Sequence, residues 1–143
     1  MYRTILVPVD GSEVSRRALE HAVGIAEGSG ATVHALAVVE PTGSRLGFDA
    51  DDTEALDRAV GELADAILAA NGTTDVELES EVRRGRELHE TILDYADEVD
   101  ADLLVMGRRG TASLPERILG STADRISRLA DIPVVLVPGE TKG

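Results

Sequence analysis

The residues best suited to chemistry lie near the C-terminal end of the chain. Met106-Gly107-Arg108-Arg109-Gly110 is followed, after a linker, by Gly120-Ser121-Thr122. The glycines follow the spacing Gly-x2-Gly-x9-Gly-Ser. A glycine lets backbone N–H groups approach a ligand with no Cβ in the way. A helix start adds free N–H donors and a partial positive charge. Together they make a cradle for an anion, phosphate being the commonest. The same glycines also serve an ordinary strand-to-helix turn. The pattern is not a Walker loop, because no Gly-Lys-Ser/Thr occurs and the only lysine is Lys142.

The elements that must position this stretch are legible from the apolar pattern. Ala101–Met106 reads as a buried strand before the glycines, and Ser121–Leu129 as a helix after them. Ser121 fits that helix's cap, with Asp124 completing a capping box. Ile5-Leu6-Val7-Pro8-Val9 reads as a first strand, ending near Pro8, which has no N–H. Asp10-Gly11-Ser12 turns into a helix capped by Ser12 that runs to about Glu27, with Ala18, Leu19, Ala22, Ile25 and Ala26 inward and Gly28-Ser29-Gly30 as its stop. Thr32–Val39 is a second strand.

A long loop from Glu40 to Asp52 then leads to a helix opened by Asp52 or Thr53, with Leu56, Ala59, Val60, Leu63 and Ile67 inward. Val76–Val82 alternates apolar and acidic residues, as an edge strand does, and Arg83-Arg84-Gly85-Arg86 is a basic turn. A helix over Glu87–Val99 and a last strand, Pro133–Val137, complete the series; Gly139–Gly143 is a tail.

Strands alternating with helices indicate an α/β fold: a doubly wound, five-stranded parallel sheet covered on both faces. Ligands of such sheets sit beyond the C-terminal ends of the strands, where the winding reverses. Asp10, Val38 and Gly107 fall at or just past such ends.

Composition bounds the rest. At 143 residues the chain is expected to form a single domain, with 1–138 as its core. It has no cysteine, which removes disulfide and thiolate chemistry. No run reaches membrane-spanning length, and the N-terminus reads as a strand rather than a signal peptide, so a cytoplasmic protein is expected. Acidic residues number 27 against 14 basic, a formal net charge of −13. Such a surface repels nucleic acid and anionic membrane, and fits a salt-loving source. Any anion site must then hold its own donors against that field.

These residues place the chain by resemblance. Ile-Leu-Val-Pro-Val-Asp-Gly-Ser from position 5, Val-Met-Gly-Arg-Arg-Gly from 105, Leu-Gly-Ser-Thr from 119 and Ile-Pro-Val-Val-Leu-Val-Pro from 132 resemble the universal stress protein family over nearly the whole length. Gly107, Gly110, Gly120 and Ser121 match the pattern of its ATP-binding branch without a gap; a second branch lacks that pattern. The resemblance implies a Rossmann-like sheet of order 3-2-1-4-5 and an ATP site, with Mg or Mn carried mainly by the phosphates. It implies that Asp10, with the backbone near Pro8 and Val9, meets the adenosine end and that Val38 presents backbone groups to the adenine edge. Met106, Gly107, Arg109 and Gly110 would wrap ribose and phosphates, and Gly120, Ser121 and Thr122 would hold the phosphate tail. It also implies a homodimer paired through the last strand, Val134–Val137.

Other chemistries fit less well. No histidine is placed for a triad: His21 and His89 fall in helices and His34 in a strand, and no metal-ligand spacing stands out. Slow ATP hydrolysis is compatible with bound phosphates and a metal, but efficient turnover needs a positioned base or water-orienting group. A phosphoryl-receiver domain would want clustered acids after the first strand and a lysine late in the sheet, and Asp10 and Lys142 supply neither. A flavin carrier would want an aromatic near the glycine turn; Tyr2, Phe48 and Tyr95 are elsewhere. The expected function is an adenine-nucleotide-binding stress regulator, with a weak ATPase or a dimeric interaction protein as alternatives.

Overall fold

A computed structural model describes residues 2–40, 50–71, 75–108 and 119–139. The elements alternate: β1 (Thr4–Pro8), α1 (Glu13–Ser29), β2 (Thr32–Val39), α2 (Ala50–Asn71), β3 (Leu78–Arg84), α3 (Leu88–Glu98), β4 (Leu103–Gly107), α4 (Ser121–Leu129) and β5 (Val134–Val137). Every strand pairing is parallel, in the order β3-β2-β1-β4-β5, so the winding reverses between β1 and β4. The expected doubly wound fold is the one observed.

The central strands are apolar on both faces because both faces are covered. Ile5, Val7, Val33, Ala35, Leu103 and Val105 pack under α1 and α2 with Leu19, Ala22 and Leu63. Leu6, Leu36, Leu104 and Met106 face the other way, against Ile92, Tyr95, Ala123 and Ile126 of α3 and α4. Alternate residues of one strand thus feed two cores.

Several boundaries differ from the sequence reading. α1 runs through Gly28 and stops at Gly30, whose left-handed backbone (φ 76°) turns its N–H back to the Ala26 carbonyl at 2.7 Å. A Cβ at Gly28 would meet only open space, so no close approach requires glycine there. α2 begins at Ala50, not at Asp52 or Thr53. Its buried face is Leu63 and Ala66 with Ala59 and Ile67 partly buried, while Val60 is 50% exposed on the other side.

The expected basic turn is also part strand. Arg83 and Arg84 extend β3 opposite Val38 and Val39. The Arg83 guanidinium lies 4.9 Å from the centre of the Tyr95 ring and pairs with Glu81 at 2.6 Å and with Glu98. Hydrogen bonds that Arg83 donates to Glu98 and, secondarily, to Glu81 raise its pKa above the ordinary value. Tyr95 also meets His34, Nδ1 to hydroxyl oxygen 3.2 Å, which gives that histidine a structural contact. Of the expected loop over Glu40–Asp52, linker over 111–119 and tail over Gly139–Gly143, residues 41–49, 111–118 and 140–143 lie outside the described residues.

Candidate functional site

Three strand ends and one helix start meet at the reversal point. Backbone direction within β1 decides how the sheet opens there. The Thr4 carbonyl accepts from Asp102 N–H on the β4 side, and the Val9 N–H donates to the Leu36 carbonyl on the β2 side. N–H and C=O of one residue point the same way in a strand, so even-numbered residues of β1 face β4. The pairing of β1 with β4 is confined to Ile5↔Leu103 and Leu6↔Leu104, although both strands run on. Carrying it one step further needs an N–H at position 8, and proline has none. Pro8 therefore ends the ladder on the β4 side while pairing on the β2 side continues to Pro8↔Leu36.

The β2 side has its own unmet bond. Thr32 N–H donates to the Arg3 carbonyl, which fixes even-numbered residues of β2 toward β1. In that register Val38 N–H should reach the Val9 carbonyl. That bond is not made, and among the described residues the Val38 backbone has no partner on this side. β1 has already turned away into Asp10 and Gly11. A donor and an acceptor of one half-buried residue are thus left at the crevice.

The turn out of β1 is held by its own side chains. Asp10 Oδ1 accepts from the Ser12 N–H at 3.0 Å and from its hydroxyl at 2.5 Å. Ser12 caps α1 by accepting from Ser15 N–H at 3.2 Å, and the buried Ser15 hydroxyl donates to the Ser12 carbonyl at 2.9 Å. Asp10 Oδ2 has no such partner among the described residues. Gly11 stands at φ 83°, and a Cβ on it would come within 2.5 Å of Glu62 Oε2, because the Glu62 side chain of α2 lies across the turn. The sequence gives no sign of this contact, since it depends on how α2 packs beside α1.

On the other side, Met106 and Gly107 end β4 buried. Arg108 N–H donates to the Val137 carbonyl at 2.9 Å, and the Arg108 carbonyl accepts from Gly120 N–H at 2.8 Å. Gly120, not Ser121, is the N-cap of α4; Ser121 is the first helical residue. The capping box expected from Ser121 and Asp124 does not form. No side chain caps the helix, and Asp124 binds Arg128 instead, at 3.2 Å. Among the described residues, the N–H groups of Ser121, Thr122 and Ala123 meet no acceptor. Free N–H groups at a helix start are suited to an anion. Val38, Met106, Leu119 and Ala123 share one apolar cluster, which joins the β2 end to the start of α4.

Of the expected site residues, Pro8, Val9, Asp10, Val38, Met106, Gly107, Gly120, Ser121 and Thr122 all lie around this crevice. Arg109 and Gly110 lie outside the described residues.

Comparison with known proteins agrees with this architecture. The profile described as "Universal stress protein family" matches residues 1–138. The chain belongs to the universal stress protein family. A universal stress protein of Methanocaldococcus jannaschii is 32% identical over 142 residues, covering 96% of this chain and 82% of its own. Among solved structures, universal stress protein UspA from Lactobacillus plantarum is 33% identical, covers 95% of this chain and 97% of its own, and superposes with a TM-score of 0.80. A universal stress protein in complex with cAMP is 30% identical, with coverage of 97% and 99% and a TM-score of 0.73. One from Archaeoglobus fulgidus in complex with dAMP is 26% identical, with coverage of 95% and 98% and a TM-score of 0.65. Among the described residues no helix is long and apolar enough to cross a membrane.

Proposed function

We propose that the crevice binds an adenine nucleotide, ATP with Mg²⁺ or Mn²⁺ before others, and that the protein acts as a nucleotide-dependent stress regulator rather than as an efficient catalyst. The observation that carries this reading is the start of α4. Among the described residues, three backbone N–H groups there meet no acceptor and no side-chain cap, in a chain whose net charge of −13 otherwise repels anions.

The remaining residues fit the other parts of the ligand. Val38 offers one backbone donor and one acceptor, which suits the edge of an adenine. Pro8 and Val9 border the gap between β1 and β4, and Asp10 Oδ2 suits a ribose hydroxyl or an exocyclic amine. Met106 and Gly107, with Arg109 and Gly110, take the ribose and phosphates; Gly120, Ser121 and Thr122 take the phosphate tail. The metal enters with the phosphates, which supply its oxygen ligands. The cAMP and dAMP complexes of related proteins share the adenine and one phosphate, which supports a common adenine subsite.

The edge strand β5 suits pairing with a second copy. Val134, Val135 and Leu136 are only half-buried there. A homodimer through β5 is part of this reading.

The test is calorimetric titration with ATP and Mg²⁺ in high salt, on the wild type and on Gly120→Val. Binding by the first and none by the second, with the same circular dichroism, is the expected result. A folded wild type that binds no adenine nucleotide ends the proposal.

A further inference from the structure

The start of α3 brings together three side chains that the nucleotide reading does not use. Glu87 is the N-cap residue, and His89 and Glu90 are in the first turn. One ligand atom from each lies within 4.8 Å of the other two. The sequence spacing concealed this. An N-cap residue is extended, so its side chain swings over the first turn instead of following the helical period.

Glu87 is not working as a cap. Its φ of −108° and ψ of 112° are those of an N-cap, yet its carboxylate makes no capping bond. That carboxylate stands 4.0 Å from His89 Nδ1 and 3.8 Å from Arg125 Nη1. The imidazole is the fixed member of the group, with only 13% of its side chain exposed, while the glutamates are free to adjust.

We propose that Glu87, His89 and Glu90 form a site for a divalent transition-metal ion of the zinc class. One imidazole nitrogen and two carboxylate oxygens are a donor set such an ion accepts, with water completing the coordination. Two ligands of one zinc ion stand at most about 4.2 Å apart, since each bond is about 2.1 Å. Closing from 4.8 Å requires less than a bond length of movement, and the exposed glutamates supply it. The helix end disfavours a cation, and Arg125 competes for Glu87. Arg125 acts on one carboxylate and the helix start on all three groups, against which the ion gains three ligands at once. The imidazole sets the selectivity: Mg²⁺ prefers an all-oxygen octahedron and binds poorly here. None of the three residues is assigned to the nucleotide, so this site holds or fails independently of that reading.

Zinc titration of the apoprotein without nucleotide tests this, with bound Zn²⁺ read by competition with a chromophoric chelator and the three imidazoles read by NMR. The expected result is one Zn²⁺ per chain that shifts His89 and leaves His21 and His34 in place. His89→Ala and the double variant Glu87→Gln/Glu90→Gln should each weaken it by at least the roughly 10–100-fold that loss of an outer-shell partner costs. His21→Ala should bind as the wild type does, and excess Mg²⁺ should not displace the zinc. The proposal is overturned if the wild type takes up no zinc, if the double variant binds equally well, or if the resonances of His21 or His34 respond in place of His89.

Discussion

The Gly120 N–H donates to the Arg108 carbonyl at 2.8 Å. This bond returns the chain to the end of β4 after the linker, and it sets the start of α4 beside Gly107. The glycine stretch is therefore anchored at both ends whatever path its middle takes. Gly120 itself has φ −63° and ψ 151°, extended values open to any residue. Its backbone does not need glycine; in the proposed site glycine instead leaves room for a ligand to reach the N–H groups. Gly120→Ala should cost the fold only about 1 kcal/mol or less, the size of an N-cap exchange. It should weaken phosphate binding far more, by crowding the cradle. Thermal unfolding and ATP titration on the same sample separate the two effects; a large loss of stability with binding intact contradicts the assignment.

The turn after β1 makes the opposite demand. Gly11 has φ 83°, where an L side chain is strained, and a Cβ would also meet the Glu62 carboxylate. The two costs differ in kind. The backbone term is about 1–2 kcal/mol and cannot relax, whereas the end of a glutamate moves cheaply. Gly11→Ala should destabilise by that backbone amount, and adding Glu62→Ala should recover little of it. Full recovery in the double variant, measured by denaturant unfolding, would show that Glu62 is the fixed obstacle.

Asp10 allows its two oxygens to be tested apart. Oδ1 is engaged by Ser12 and Oδ2 has no partner among the described residues. Asp10→Asn keeps an acceptor for the Ser12 N–H, so stability should change by no more than about 0.5–1.5 kcal/mol, the net size of one hydrogen bond. Adenine nucleotide affinity should fall if Oδ2 faces the ligand. Unchanged affinity with a lowered melting temperature would confine Asp10 to the turn.

The helices and the central strands are legible in this sequence because those strands are buried on both faces, whereas the strand order follows only from the family resemblance. Continuous apolar runs such as Ile5-Leu6-Val7 and Leu103-Leu104-Val105 then leave no other reading. The site is legible as far as it depends on residue type: Gly107, Gly120 and Asp10 announce themselves. What depends on register is not. That the N–H missing from Pro8 faces β4, and that Val38 outruns its partner on β1, follow from pairings a single strand does not reveal. The cap of α4 was misplaced for a related reason. Ser121 is the better capping residue by type, but Gly120, held to the Arg108 carbonyl, takes the cap position and the helix starts one residue earlier.

Tyr95 gives a pH dependence of known sign. Burial, and secondarily the Glu81 charge, raise its pKa above the ordinary 10.0. Above that value the unfolded chain loses the phenolic proton and the folded one keeps it. The folded state then binds more protons, so stability falls as pH rises from about 10 toward the raised folded value. Tyr95→Phe should flatten this part of the alkaline profile, at the cost of the contact with His34. Denaturant midpoints across that range check it, and an unchanged slope in the variant contradicts the assignment.

Net charge should make stability depend on salt. With 27 acidic and 14 basic residues the folded chain repels itself. The Debye length falls from about 30 Å at 0.01 M to about 3 Å at 1 M, which removes most of that repulsion between exposed carboxylates. Melting temperature should therefore rise steadily with NaCl. A flat or falling curve would mean that ion pairs such as Arg83 with Glu98 contribute more than the excess charge costs.

The proposed dimer can be addressed through one backbone group. Pro133 and Val137 turn their carbonyls to β4, accepting from Leu104 and Arg108, so odd-numbered residues of β5 face inward. The N–H groups of Val134 and Leu136 then face the open edge, where a second copy of the strand would pair. Val134→Pro removes the outward donor and leaves the inward ladder intact, at the first residue of an edge strand, where proline is tolerated. Sedimentation in high salt should show the wild type as a dimer and the variant shifted toward monomer with its fold unchanged. An equally dimeric variant would mean that the copies meet through side chains or another face, and a wild type that is monomeric at every concentration rules the pairing out.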